Sequence, residues 1–137
     1  MELNIILNLL KVQSLITKKF DGLSLHGISL TDFMILHILS SVPGNRLKRI
    51  DLAEGIGLTA SGITRIISPM EKMGLVVKEA NERDARVSYV KLTSAGERVF
   101  KEAKVTATQT SKNMLAGISK NELKVFASHL KGLGGDL

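Results

Sequence analysis

Apolar side chains recur with helical spacing through most of this chain. Residues 3–20 are helical in character and apolar on nearly every side, and a further apolar run follows Thr31, the predicted N-cap of a second helix. Residues 21–29 are predicted to form a loop, and Pro43 begins the break after the second helix. Because one apolar stripe is enough to dock a helix on its own domain, a first helix that is apolar all round predicts a second partner, such as another subunit.

Two helices joined by a tight glycine turn are predicted next. The first covers residues 47–55 and directs Ile50 and Ala53 inward, and Gly57 in the turn is suited to positive φ. The second covers residues 59–73, with its first threonine as N-cap. The i, i+3, i+4, i+7 spacing of one buried face is carried by Ile63, Ile66, Ile67 and Met70.

A hairpin and two further helices are predicted in the rest of the chain. Residues 75–78 and 87–92 have the period-two pattern of strands on either side of a charged tip. Thr93 is the predicted N-cap of a long helix, and Ser119 with Glu122 forms the capping box of the last one. The apolar faces of these two helices consist of Val99, Phe100, Ala103, Ala107, Leu123, Phe126, Ala127 and Leu130.

This order of elements predicts a mainly α protein with a small β-hairpin wing. We expect a single domain over residues 1–137, with a winged helix-turn-helix core at residues 31–92 and terminal dimerisation helices at residues 1–20 and 94–133. A monomer that exposed the apolar faces of the terminal helices would carry a larger patch than soluble monomers normally tolerate. We therefore expect an obligate homodimer.

Composition narrows the function without deciding it. A net charge of +6 suits a polyanionic partner, although many soluble domains carry such a charge for solubility. The absence of cysteine excludes disulfides, thiolate metal sites and a cysteine redox switch. The N-terminal residues lack the features of a signal peptide, and no apolar run approaches the ~20 residues of a membrane span, so we expect a cytoplasmic protein without a membrane partner.

The polar side of the second helix of the pair is the first candidate for binding DNA. Short polar side chains and one arginine lie opposite its apolar face, a combination that fits the major groove, where arginine recognises guanine. A helix N-terminus also offers backbone amides to a phosphate. On a solvated face of an ordinary packing helix the same residue types are also common. The candidate DNA-binding residues on this helix are Thr59, Ser61, Gly62, Thr64, Arg65 and Ser68.

The charged hairpin tip is the second candidate. Arg83 and Arg86 are placed to contact phosphates or the minor groove, and Glu82 and Asp84 reduce the positive charge of the tip. A carboxylate at the tip either orients a neighbouring arginine through a charge-assisted hydrogen bond or belongs to a solvated turn. Together with Asp84, the two arginines complete the predicted double-stranded DNA interface.

At several motifs the sequence resembles the MarR family of transcriptional regulators. Within the hairpin and after it, Asp-x-Arg at 84–86 is followed by Leu-Thr-x-x-Gly at 92–96. The resemblance implies a homodimer, a recognition helix starting at Thr59, a tip stabilised by Asp84, and Arg86 in the minor groove. It also implies release of DNA on binding a small aromatic or anionic effector. The further matching segments are 51–53, 57–59, 64–65 and 70–76.

Three residues depart from the family pattern. Ala85 stands where a second arginine is frequent, and Gly62 costs the recognition helix roughly 1 kcal/mol relative to alanine. Pro69 removes a hydrogen bond inside the predicted helix and usually kinks such a helix. These departures affect the expected geometry of the DNA-binding elements more than the expected function.

The sequence favours a DNA-binding repressor acting on a pseudo-palindromic operator over two other functions. An enzyme finds little support, because His26, His37 and His129 lack metal-ligand spacing and no phosphate-binding loop or nucleophile motif is present, so no cofactor or metal is expected. His37 fits either a packed histidine or the lining of an effector pocket. A winged-helix adaptor that binds another protein is the stronger alternative, but its binding face should expose an apolar anchor.

Overall fold

The computed structural model describes residues 1–137, and it contains six α-helices and a small antiparallel sheet. The three strands lie between α2 and α5, and the chain begins and ends with helices. In chain order the elements are α1 (Glu2–Lys19), α2 (Leu30–Ser41), β1 (Arg46–Lys48), α3 (Arg49–Ile56), α4 (Ala60–Lys72), β2 (Val76–Ala80), β3 (Ser88–Leu92), α5 (Ser94–Met114) and α6 (Lys120–Gly132). This is the mainly α architecture with a small β wing that the sequence predicts.

The sheet has a third strand that the sequence analysis missed. Residues 46–48 form β1 and pair with β3, giving the order β1-β3-β2. The sequence placed residue 46 in the connection after α2 and residues 47–48 at the start of α3. The helix after the strand therefore begins at Arg49, and the prediction that it covers residues 47–55 was wrong at its start. Of the two residues predicted to face inward, Ala53 is buried, but Ile50, in the first turn directly after β1, is 68% exposed.

The region between α1 and α2 also differs from the prediction. Residues Asp21–His26 form a 3-10 helix rather than a loop. Ser29, not Thr31, is the N-cap of α2, because its hydroxyl accepts from the backbone N–H of Asp32 while the Asp32 carboxylate accepts from the N–H of Ser29. This reciprocal pair satisfies two donors at once, which a cap at Thr31 would not do.

All the deeply buried side chains belong to one hydrophobic cluster in the centre of the chain. The cluster has 18 members, the first of which is Leu23 and the last Ala107. The predicted face of α4 contributes Ile63, Ile67 and Met70 to it, all fully buried. Neither α1 nor α6 contributes a buried residue.

The start of α5 is held tightly against the end of β3 and the segment before β2. Thr93 caps α5 as predicted, accepting from the N–H of Gly96, and its hydroxyl lies 2.6 Å from the carbonyl oxygen of Gly74. A Cβ placed on Gly96 would lie 2.0 Å from the carbonyl oxygen of Leu75. Glycine is therefore required at position 96 by the close approach of two backbones.

Two further predictions concern the helices of the central pair and the last helix. Gly57 has φ 76°, as its place in the turn predicts, and Pro69 lies inside α4 without interrupting the helix. Ser119 and Glu122 form the predicted capping box of α6.

No helix combines the length and the apolar character needed to cross a membrane.

Candidate nucleic-acid interface

One face of α4 is free of the core and polar. Ile63 and Ile67 are fully buried and Ile66 packs against the core, so the polar residues beside them lie on the outer side of the helix. Arg65 and Ser68 are exposed and make no hydrogen bond or ion pair through their side chains. Both side chains are thus available to an external partner. Ser61 and Thr64 are exposed on this face as well, and Gly62 is half-buried.

The first turn of α4 is ordered by its cap. The Thr59 hydroxyl accepts from the N–H of Gly62 at 3.1 Å and lies 3.2 Å from the hydroxyl of Ser61. A Cβ on residue 62 would lie 3.1 Å from the Thr59 oxygen, so glycine leaves the cap room that a larger residue would restrict. The glycine that costs helix propensity therefore accommodates the hydroxyl that begins the helix.

Thr64 differs from Arg65 and Ser68 because its hydroxyl already makes two hydrogen bonds within the protein. It donates to the carbonyl oxygen of Ala60 at 3.0 Å and accepts from Nη1 of Arg49 at 3.1 Å. Nη2 of Arg49 lies 3.6 Å from Oε1 of Glu71, so both partners of this guanidinium stand on α4. The sequence analysis did not single out Arg49.

The wing tip is organised by two short-range side-chain turns. Asp84 Oδ1 accepts from the backbone N–H of Arg86 at 3.0 Å and from its Nε at 3.2 Å. These bonds, from the side chain first and the backbone second, hold the pKa of the Asp84 carboxyl below its ordinary value. Asn81 Oδ1 accepts from the N–H of Arg83 at 2.8 Å. Of the two alternatives for the tip carboxylate, the structure has the one that orients an arginine.

The outer face of the sheet carries a separate set of charges. Arg46 pairs with Glu79, and its guanidinium lies 4.7 Å from the ring centroid of Tyr89. Lys91 lies 3.8 Å from the second oxygen of Glu79. Asn81 donates to the Tyr89 hydroxyl at 3.3 Å, which connects this face to the tip. These cations are held by partners on the sheet itself.

A groove of about 400 Å³ lies where the starts of α3 and α4 meet the root of the wing. Three of its lining residues are cations and none is acidic. It brings Arg86 of the wing to the same depression as the first residue of α4, so the two predicted DNA-binding elements adjoin. The lining residues are Lys48, Arg49, Ile50, Ala60, Arg86, Val87 and Ser88.

A larger, mostly apolar groove of about 630 Å³ lies between α2, α5 and the start of α6. Phe33 and Met34 line it on α2, and Lys104 and Lys112 contribute charge from α5. His37 is half-buried, with its ring 6.0 Å from that of Phe100, and it also lines the groove. The expectation of a packed histidine is confirmed, and the expectation that His37 lines an effector pocket stays a prediction.

Comparison with known proteins identifies the arrangement. A family model described as the MarR family matches residues 26–87. AbsC, a MarR family transcriptional regulator from Streptomyces coelicolor, is 24% identical with a TM-score of 0.85, over 97% of this chain and 91% of AbsC. Residues 26–87 of this chain therefore match the MarR family, and the chain has the fold of MarR-type winged-helix regulators.

Two further comparisons extend over most of both chains. Sco3205, a MarR family regulator from Streptomyces coelicolor in complex with DNA, is 18% identical with a TM-score of 0.86, over 97% of this chain and 85% of Sco3205. The organohalide-sensing transcriptional regulator RdhR-CbdbA1625, in its 2,4-dichlorophenol-bound form, is 26% identical with a TM-score of 0.84, over 96% of this chain and 78% of RdhR. Sco3205 and AbsC support the fold, and the family model adds the sequence relationship.

The sequence pattern predicts both candidate elements of this winged-helix fold but not the cation between them. The nine predicted residues lie on the start and polar face of α4 and on the wing tip. Arg49 was missed because the prediction began α3 two residues early, which hid the position of its side chain beside α4. The available signal was three basic residues within the tetrapeptide 46–49, at the start of the predicted helix.

Proposed function

We propose that this chain is a cytoplasmic, sequence-specific DNA-binding repressor that acts as a homodimer on a pseudo-palindromic operator. The observation that carries the proposal is the exposed polar face of α4, with Arg65 free of partners, next to a wing whose tip presents Arg83 and Arg86. Sco3205, which has the same fold, was solved with DNA bound.

In this proposal α4 enters the major groove and the wing approaches the minor groove or the backbone. Arg65 has the fork of donors that recognises the O6 and N7 atoms of guanine, and Ser61 and Ser68 contact bases or phosphates beside it. Arg86 contributes mainly electrostatic attraction, with Asp84 fixing the direction of its guanidinium. The remaining proposed contacts are Thr59, Gly62, Thr64 and Arg83.

A salt titration of two variants tests the assignment. Arg65→Ala should cost about 1–3 kcal/mol on the operator and relax the preference at one base position. Arg86→Ala should weaken operator and scrambled duplex by similar factors and reduce the salt slope by about 1 per subunit. If the wild-type protein bound random duplex without salt dependence, or failed to bind it, the DNA-binding proposal would be wrong.

The dimer in this proposal is formed by the terminal helices. Seven large apolar side chains of α1 are 44–69% exposed, and Val125 and Phe126 of α6 are 58% and 46% exposed. A second copy of the chain offers the same surfaces in return, as twofold symmetry requires. Half-site centres about 10 base pairs apart follow from the pairing of two recognition helices. Light scattering that returned the mass of one 14.9 kDa chain would contradict the dimer.

The apolar groove is the proposed effector site. Phe33 and Met34 offer apolar contact to an aromatic ring, and Lys104 or Lys112 offers charge to an anionic group. RdhR-CbdbA1625, of the same fold, was solved with 2,4-dichlorophenol. Substituted benzoates can be screened as probes. Those that bind should raise the melting temperature of the protein and weaken its binding to the operator. Benzoates that changed neither quantity would argue against an aromatic acid as effector.

The second candidate function is a winged-helix adaptor that binds a protein, and one observation favours it. Ile50 is 68% exposed at the edge of the cationic groove, where an apolar anchor could engage a partner protein. The salt series distinguishes the two functions, because an adaptor should bind duplex DNA weakly at every salt concentration. Ile50→Ser should leave DNA affinity within twofold if Ile50 is not an anchor.

A further inference from the structure

We propose that Arg49 contacts the DNA backbone, and that Thr64 and Glu71 on α4 hold its guanidinium at the groove between the recognition helix and the wing. This inference rests on the proposed DNA-binding function and adds to it a contact from α3. It also changes the role of Thr64, from a residue that binds DNA to one that positions Arg49.

The geometry fixes Arg49 from one side only. Its Nη1 donates to the Thr64 hydroxyl at 3.1 Å, and its Nη2 lies 3.6 Å from Glu71 Oε1. A guanidinium has five N–H donors in a planar fork, so these two contacts leave three donors for another acceptor. A side chain that is already held loses less rotamer freedom when it binds, which favours the contact.

The charges around the groove point to an anion. Lys48 and Arg49 line one side and Arg86 lines the other, and no carboxylate lines the depression. Glu71 neutralises part of the charge of Arg49 but is not among the lining residues. A phosphate of the backbone strand that passes from the recognition helix to the wing is the anion that fits this position, because a duplex bound by α4 and the wing must pass between them.

Thr64 is poorly placed to contact DNA itself. Its hydroxyl proton is committed to the carbonyl oxygen of Ala60, and one of its lone pairs accepts from Arg49. Arg65, the next residue, has no such engagement. Thr64 is therefore a positioning residue, and its contribution to affinity should depend on the presence of Arg49.

The first experiment compares two arginines of the same short segment. Each of Arg49→Ala and Arg46→Ala removes one charge per chain, but Arg46 is held on the outer face of the sheet by Glu79 and Tyr89. Binding of random and operator duplexes is measured from about 50 to about 200 mM salt. Arg49→Ala should lower the salt slope by about 0.9 per subunit, equivalent to about eightfold weaker binding per contact at 0.1 M salt. Arg46→Ala should leave the slope unchanged.

A second variant guards against a folding defect at position 49. Arg49→Gln keeps the aliphatic stem and an amide donor for Thr64 while removing the charge. It should reduce the salt dependence of binding as much as Arg49→Ala does, while the melting temperature stays that of the wild type. Equal slopes for Arg49→Gln, Arg46→Ala and the wild type would overturn the inference while leaving the proposed function intact.

The role of Thr64 is tested by a double-mutant cycle. Thr64→Val keeps the branched shape and removes the hydroxyl, so it should weaken binding about threefold with no change in salt slope, because no charge is lost. In the Arg49→Gln background Thr64→Val should have no further effect. Additive losses would mean that Thr64 contacts DNA directly, and that outcome would overturn the positioning role. A wild-type protein without salt-dependent binding would overturn both this inference and the proposed function.

Discussion

The central part of the molecule, residues 23–107, and the two outer helices, α1 and α6, differ in where their apolar side chains lie. Every deeply buried side chain lies between Leu23 and Ala107, whereas α1 and α6 bury none. Both terminal helices are nevertheless rich in large apolar residues, and Leu3 is 69% exposed. The apolar pattern in the centre is satisfied within the chain, and that at the ends is left for another surface.

This difference separates two sources of stability. The central half has a closed core, so changes there should alter the free energy of unfolding of the chain itself. Changes in α1 and α6 should instead act through the proposed dimer, and their effect should depend on protein concentration. The following predictions test that division, from the largest expected effect to the smallest.

The largest effect is expected at Gly96. Gly96→Ala places a Cβ 2.0 Å from the carbonyl oxygen of Leu75 and 2.8 Å from the Leu92 side chain. Backbone cannot yield as a side chain does, so the free energy of unfolding should fall by about 3 kcal/mol. Urea denaturation at several protein concentrations measures the loss, which should be the same at each concentration.

Gly55→Ala is the matched control. Gly55 also lies in a helix of the central half, but its added Cβ would make ordinary contact with Ile38 at 3.8 Å. Alanine should therefore stabilise the fold by about 0.5–1 kcal/mol through helix propensity. A loss as large as that of Gly96→Ala would show that the close approach is not the cause.

In α1 the expected effect is on assembly rather than folding. Leu7 is 53% exposed, and Leu7→Glu should cost about 2 kcal/mol per subunit of dimer if a second copy buries it. Sedimentation equilibrium should then detect monomer at concentrations where the wild type is dimeric, while the circular dichroism spectrum stays helical. Asn8→Glu adds the same charge at the neighbouring polar position and should leave the mass of the assembly, measured by sedimentation, the same as that of the wild type. Equal effects of both variants would mean that charge, not apolar contact, governs assembly.

A smaller contrast is expected between two identical caps. Ser29 caps α2 in the central half and Ser119 caps α6, each with a full capping box. Ser29→Ala should lower the global free energy of unfolding by about 1 kcal/mol. Ser119→Ala should mainly raise hydrogen exchange at the first amides of α6, because that helix has no core contact to lose. Equal global destabilisation by both variants would contradict the division.

The smallest effect is expected from acid. The pKa of Asp84 is lowered by bonds from Arg86, and that of Glu122 by bonds from the hydroxyl and the N–H of Ser119. Because folding lowers both pKa values, their contribution is complete above the unfolded values near pH 4 and is lost as the pH falls through the lower folded values. Carboxyl chemical shifts followed by NMR should give midpoints below the ordinary pKa values of an aspartate and a glutamate side chain, respectively. In Ser119→Ala the Glu122 midpoint should rise, while the Asp84 midpoint stays the same.

The parts of the fold that sequence predicts well are those fixed by local signals. The caps at Thr59, Thr93 and Ser119 and the turn at Gly57 each depend on residues within one turn of helix, and all are present. β1 was missed because a strand of three residues has no periodicity of its own and is defined by pairing with β3, far along the chain. The error at Ile50 follows directly from that omission.

The candidate site divides in the same way. The exposure of Arg65 follows from the spacing of the buried isoleucines on α4, and the Asp84–Arg86 turn joins residues two apart. Contacts of Arg49 with Thr64 and Glu71 depend on how α3 crosses α4, which a linear pattern does not determine. The predicted contacts of α4 with DNA remain predictions for the binding experiments.

One consequence of the close approach at Gly96 is mechanical. α5 is an unbroken helix of 21 residues, about 31 Å long, clamped at its first turn to the base of the wing. Its other end borders the apolar groove through Lys112. A tilt of about 5° about that first turn would displace the far end of such a helix by about 3 Å. In the proposed regulator, an effector in the groove would therefore act on the same helix that holds the base of the wing.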